Sequence, residues 1–238
     1  MSFSTTLDRI QESIHKAQNK AGLFHHVEIV AVTKTHPIET IIKAAAGGIR
    51  SIGENKVQEA ADKFFLIPED IRPLKKRMIG HLQSNKISKC LKLFDTVDSV
   101  DSLVLAKKIG RKAQNKNTQV LLEVNTSGEQ QKGGFSPDDI DNMIQCMDIP
   151  NIAVKGLMTV GPLSSDKSKI RDSFVLLRKT QTRLNSQIAD KKINRTFYGN
   201  VQRLSYCGGR RKHNGSIGNH FVWTKINYTK QPPALQTN

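Results

Sequence analysis

Apolar and polar positions along this chain switch repeatedly between two periods. Over residues 7–22 the apolar Leu7, Ile10, Ile14 and Ala17 recur at three- and four-residue spacing. That spacing predicts an amphipathic helix, with Gly22 as its stop. Residues 27–33 (VEIVAVT) form a short β-branched run, which predicts a buried strand. The alternation then continues. Helices are predicted over 38–46, 55–65, from the Ser84 cap onward, and over 102–115, 137–147 and 170–190. Strands are predicted over 49–53, 78–81, 96–100, 120–125 and 153–160. Six β–α units before about residue 190 imply a parallel sheet with helices outside it. Eight such units would close a (β/α)8 barrel, a fold common at this length.

In such a barrel the strand ends gather at one face, where sites are built. The residues following the predicted strands are polar in every unit: Thr33-Lys34-Thr35-His36, Gly53-Glu54-Asn55, Gly80-His81-Leu82-Gln83-Ser84-Asn85, the stretch 98–102, Asn125-Thr126-Ser127-Gly128, and Met158-Thr159-Val160-Gly161. A single lysine at a strand end is ordinarily a solvated charge. Six polar strand ends on one rim point instead to a binding site.

Composition narrows the class. The chain has 238 residues and no apolar run of membrane-spanning length. Its first residues lack a secretory pattern, and the three scattered cysteines (Cys90, Cys146, Cys207) have no metal-ligand spacing, so a reducing, cytoplasmic setting is expected. The formal charge is +16. The basic residues are dispersed along the sequence with few aromatics among them, so a solvated surface is favoured over a nucleic-acid or membrane partner.

Six motifs stand in order: AVTKTHP, IGENKVQEA, IGHLQSNK, VDSVDS, LLEVNTSGEQQKGGF and GLMTVG. Together they resemble the pyridoxal-phosphate homeostasis protein family, which is similar to the barrel domain of alanine racemase. The resemblance covers residues 6 to about 196. It implies pyridoxal 5′-phosphate held as a Schiff base on Lys34. An amine partly desolvated at a strand end is suited to attack an aldehyde. The resemblance places Asn55, His81 and Met158 along the cofactor ring. Their alternatives are a helix cap for Asn55, a satisfied polar residue for His81 and core filling for Met158. Lys132 reads as a rim lysine, solvated or in transient contact with phosphate. Lys56 stands where the family usually has an aromatic. The implied role is non-catalytic: a monomer that stores the cofactor or delivers it to recipient apo-enzymes. An amino-acid racemase is the enzymatic alternative, but such racemases carry an additional β domain for which this chain has no room. A basic nucleic-acid-binding protein is a second alternative, and a Schiff-base aldolase a third.

The resemblance stops near Thr196. Residues 197–238 contain no Asp or Glu, hold all three tyrosines and the only tryptophan, and lose apolar periodicity. Reverse translation read one base forward restores the family's string: Tyr198-Gly199-Asn200-Val201 yields Met-Gly-Met-Ser, the segment around Lys212–Gly218 yields a Gly-Ser-Thr loop with Val-Arg, and Val222-Trp223-Thr224 yields Phe-Gly. The expected organisation is therefore a cofactor-binding α/β barrel over 1–196 and a frameshifted, out-of-frame tail over 197–238. The barrel is expected to be incomplete at strands 7–8 and to lack the phosphate-binding loops found there.

Overall fold

The computed structural model describes residues 3–22, 26–71, 73–114, 116–188, 192–199 and 220–225. Eight parallel strands close into a barrel in sequence order: β1 (Val27–Val32), β2 (Ser51–Glu54), β3 (Lys75–Met78), β4 (Thr96–Val100), β5 (Thr118–Glu123), β6 (Ile152–Val160), β7 (Arg195–Gly199) and β8 (His220–Lys225). Helix α1 (Phe3–Ala21) precedes β1. Helices α2 (Ile38–Ala46), α3 (Val57–Phe64), α4 (Ile87–Leu93), α5 (Leu103–Lys112), α6 (Ile140–Met147) and α7 (Lys167–Gln187) follow β1 to β6 in turn.

Six full β–α units are thus in place, and the (β/α)8 architecture stands. The expected incompleteness at strands 7–8 takes a particular form. The two strands themselves pair: Thr196 to Gly199 lie against His220 to Trp223, and β8 returns to β1 in register from Val27↔His220 to Val32↔Lys225. No helix follows β7 or β8 among the described residues, so the seventh and eighth units are represented there by strands alone.

Side-chain alternation along the strands splits the core in two. Val30, Val32, Ile79, Leu121, Met158 and Phe197 form one cluster inside the barrel. Their strand neighbours Ala31, Met78, Val120, Leu122, Leu157 and Tyr198 belong to the larger cluster under the helices. Strand β7 obeys the same rule. Phe197 is inside, and Tyr198 packs edge-on against Phe174 of α7, with ring centroids 4.9 Å apart.

Toward the N-terminal strand ends the interior is charged. Arg77, 1% exposed, donates to Asp98 at 3.0 Å, lies 3.5 Å from Glu28 and sits 4.8 Å over the Phe197 ring. This explains why β3 begins three residues earlier than the sequence predicts. Its Lys75-Lys76-Arg77 start has no apolar signal, because the buried partner of Arg77 is another strand's carboxylate rather than a hydrophobic neighbour.

Candidate functional site

The mouth of the barrel is built from the turn after β1. Lys34 is the second residue after β1, in the turn that follows Val32, whose side chain belongs to the interior cluster. It is half-buried, and its amine makes no hydrogen bond or ion pair among the described residues. The turn around it is held at several points. The Thr33 N–H donates to Gly53 O at 3.1 Å, and the His36 N–H to Thr33 O at 3.1 Å. Thr35 sits at φ 62°, in the left-handed region where a β-branched residue is strained. The Thr35 N–H donates to the Glu59 carboxylate at 2.5 Å.

Beneath this turn lies a buried polar knot that sequence reasoning missed. Lys63 of α3 donates to Glu54 Oε1 at 2.6 Å, Glu59 Oε1 at 2.8 Å, Thr33 O at 2.9 Å and His36 O at 3.0 Å. The Thr33 hydroxyl donates to the same Glu54 oxygen at 2.7 Å. Burial raises the Glu54 pKa, and the hydrogen bonds from Lys63 and Thr33 only partly offset it. Burial also opposes ionisation of Glu59, but the bonds from Lys63 and from the Thr35 N–H bring its pKa below the usual value. A signal for this knot was present. Glu54 and Glu59 are letters of the IGENKVQEA motif, and Glu59 and Lys63 stand at i, i+4 on a helix.

The other expected site residues fall into three environments. Asn55 is half-buried beside the mouth. Lys56, not Asn55, occupies the N-cap position of α3, so the helix-cap alternative does not describe it. Its side-chain amide has no partner among the described residues. Its backbone is crowded by Gly80, where an added Cβ would stand 2.4 Å from Asn55 O. His81 is on the rim, with its side chain 73% exposed and Nδ1 3.1 Å from Asp101 Oδ2. Met158 is fully buried in the interior cluster, where with Val32 and Ile79 it lies beneath the mouth. Lys132 is not simply solvated. It donates to Glu129 at 2.8 Å and to Gly161 O at 3.1 Å, tying the loop after β5 to the loop after β6.

The opposite side of the mouth is acidic. Glu123 ends β5, and its pKa is pushed up to about 7 by burial and by the nearby Asp101 charge, against the pull of Lys132. The loop that follows is fixed by Asn125, whose Nδ2 donates to Glu129 O and Lys132 O. It is fixed also by Gly134 at φ 116°, where a Cβ would meet Asn125 N at 2.9 Å.

The mouth therefore combines an amine and an amide without partners among the described residues, an apolar floor and a carboxyl that titrates near neutrality. The profile of the alanine racemase N-terminal domain matches residues 5–195. The pyridoxal phosphate homeostasis protein of Vibrio cholerae is 33% identical over 189 residues, 77% of this chain and 80% of that protein. The chain belongs to the pyridoxal phosphate homeostasis protein family. The family member from Schizosaccharomyces pombe is 35% identical over 166 residues, covering 68% of this chain and 67% of its own.

Among solved structures, a Bifidobacterium adolescentis protein described as unknown superposes with a TM-score of 0.83 at 31% identity, covering 94% of this chain and 92% of its own. PipY of Synechococcus elongatus, solved with PLP bound, superposes at 0.73 with 26% identity, covering 90% of this chain and 97% of its own. Alanine racemase of Clostridium difficile shares the fold at 17% identity and a TM-score of 0.71, with 58% of its length covered.

No group of three or more His, Cys, Asp or Glu able to hold a metal occurs among the described residues. No helix among them is long and apolar enough to cross a membrane. Cys207 and the other residues of 200–219 and 226–238 lie outside the described residues, the expected Gly-Ser-Thr segment among them.

Proposed function

We propose that this family member binds pyridoxal 5′-phosphate as a Schiff base on Lys34, and that it serves intracellular pyridoxal-phosphate homeostasis as a monomer in the cytoplasm. It holds the cofactor and passes it to recipient apo-enzymes rather than turning over a substrate. The observation that carries this is the Lys34 amine, without a partner among the described residues, in the turn just after β1 and next to the apolar interior cluster. The names of the family's members and the PLP-bound PipY structure support it. When bound, pyridoxal phosphate would supply an aldehyde carbon for an amine to hold. Lys34 would provide that amine, with Asn55 beside it and His81 on the rim to orient polar groups. Met158, Val32 and Ile79 keep the floor dry.

A non-catalytic role fits the groups present. In the racemases this chain resembles, the second base would be a tyrosine supplied with the additional β domain. The one described tyrosine, Tyr198, is buried on the helix side of the sheet, away from the mouth. The test is a cofactor titration of the chain and of Lys34→Ala, followed by borohydride reduction and peptide mapping. A visible absorbance band and a reduced adduct on Lys34, both lost in the variant, are expected. Substrate-dependent racemisation that Lys34→Ala abolishes would replace this function by the enzymatic one.

The frameshift is part of the same proposal. The family profile ends at residue 195, one residue before the resemblance breaks in the sequence. We propose that residues from about 197 onward are read one base out of frame and that the phosphate-binding half of the site is lost with them. Sequencing across these codons tests it: stop codons in the alternative frame would end the idea. A frame-corrected protein is expected to bind the cofactor more tightly than the chain as written.

One observation favours a second reading. Lys86, Lys89 and Lys92 at α4 and Lys107, Lys108, Arg111 and Lys112 on α5 are all exposed, and no acidic residue lies on either helix. Charge that looks dispersed in the sequence is therefore gathered on one flank of the fold. Neither α4 nor α5 carries an exposed aromatic to stack on bases, so the cofactor role is preferred. Cofactor-independent RNA binding with a steep salt slope would reverse the preference.

A further inference from the structure

The lysine that no cofactor role explains is Lys63. It is 8% exposed, and an ammonium has three protons to give. Four acceptors surround it within 3.0 Å: two carboxylates and the carbonyls of Thr33 and His36. Those two carbonyls bracket Lys34 in the chain. We propose that Lys63 is the positioning residue for Lys34: its ammonium ties both ends of the 33–36 turn to the carboxylates of β2 and α3, and so sets the direction in which the Lys34 side chain leaves β1.

The inference rests on the covalent role of Lys34. It goes beyond that role by naming what aims the amine. The need for a tie is visible in the backbone. Thr35 is held at positive φ, a conformation that persists only where surrounding contacts enforce it. The contacts that enforce it are the Glu59 carboxylate on the Thr35 N–H and the Lys63 ammonium on the flanking carbonyls. Glu59 is itself held by Lys63 at i, i+4. Glu54 completes the knot by accepting from both Lys63 and the Thr33 hydroxyl. If the tie is released, the turn can relax and the amine no longer meets an incoming aldehyde at one angle.

The experiment uses the full 238-residue chain with Lys63→Met and Glu59→Ala. Two quantities are read: backbone hydrogen exchange of the peptide spanning 33–36, and the initial rate at which borohydride traps pyridoxal phosphate on Lys34. Exchange in the turn is expected to rise about tenfold relative to the other barrel strands. The trapping rate is expected to fall about tenfold, the scale of a small misplacement of a reacting group. Glu59→Ala removes the acceptor of the Thr35 N–H from a partly exposed helix position, so it decides the matter if Lys63→Met does not fold. Exchange that rises equally across the whole barrel would mark Lys63 as a general stabiliser and overturn the proposal. So would unchanged trapping on Lys34 with a loosened turn. Trapped label on another lysine of the unaltered chain would instead overturn the covalent role of Lys34, while the exchange result still decides whether the tie exists.

Discussion

Replacing Glu123 by glutamine should stabilise this protein, and by an amount that depends on pH. Glu123 has an ordinary value of 4.5 raised to about 7, mainly by burial and secondly by Asp101. At about 1.36 kcal/mol per pH unit, that rise is worth about 3 kcal/mol. The sign follows from proton binding. Below pH 4.5 the carboxyl is protonated whether the chain is folded or not, and the site costs nothing. Between 4.5 and 7 the folded protein keeps a proton that the unfolded chain has released, so stability falls as pH rises. Above 7 both states are ionised and the full cost is present. The amide introduced by Glu123→Gln does not titrate. The assay is a pair of urea unfolding curves, variant and wild type, at pH 5 and at pH 8 and equal ionic strength. The variant's advantage is expected to be small at pH 5 and to reach about 2–3 kcal/mol at pH 8. Asp101→Asn should lower the Glu123 pKa and narrow that gap. A difference between the two proteins that is the same at both pH values would refute the argument, as would a glutamine variant less stable at pH 8.

Three further outcomes are expected. Gly80→Ala places a methyl 2.4 Å from Asn55 O, so it should cost about 1–3 kcal/mol and weaken cofactor uptake through Asn55; melting with the wild type would contradict the packing described. Arg77→Met leaves Asp98 buried without its cation and should cost about 3–5 kcal/mol, and most of that loss should be recovered by Arg77→Met with Asp98→Leu, as denaturant unfolding will show. Cys90 and Cys146 are buried thiols whose pKa is pushed up to about 12, so a thiol reagent at pH 8 should label neither until the protein is unfolded.

The parts of the fold that sequence patterning conveys are those where burial and period coincide. Strand β4 (Thr96–Val100) and helix α2 (Ile38–Ala46) lie where the apolar pattern predicts them. Strand β3 does not, because Lys75 and Arg77 fill interior positions with charge that only a distant Glu28 and Asp98 can balance. Strands β7 and β8 have no apolar period in the sequence. Phe197 and Tyr198 alternate across the sheet, but two residues are too few to register as a pattern. At the mouth, strand-end chemistry points to Lys34 and Asn55. It does not point to Lys63, on the helix after β2, because two of its partners are backbone carbonyls that carry no sequence identity. Lys132 reads as a solvated charge for a related reason. Its pairing with Gly161 O exists only once two loops are brought side by side.

Lys34 and Lys63 meet at the turn after β1 in different surroundings. Either amine must lose a proton to become a nucleophile, and for Lys63 that would also disturb its bonds to Glu54 and Glu59. Lys34 carries no such obligation among its described neighbours. Selectivity between the two amines is expected to follow hydrogen-bond occupancy together with burial, Lys63 being 8% exposed. Amine-reactive probes of any kind, not only aldehydes, should sort the two residues in the same order.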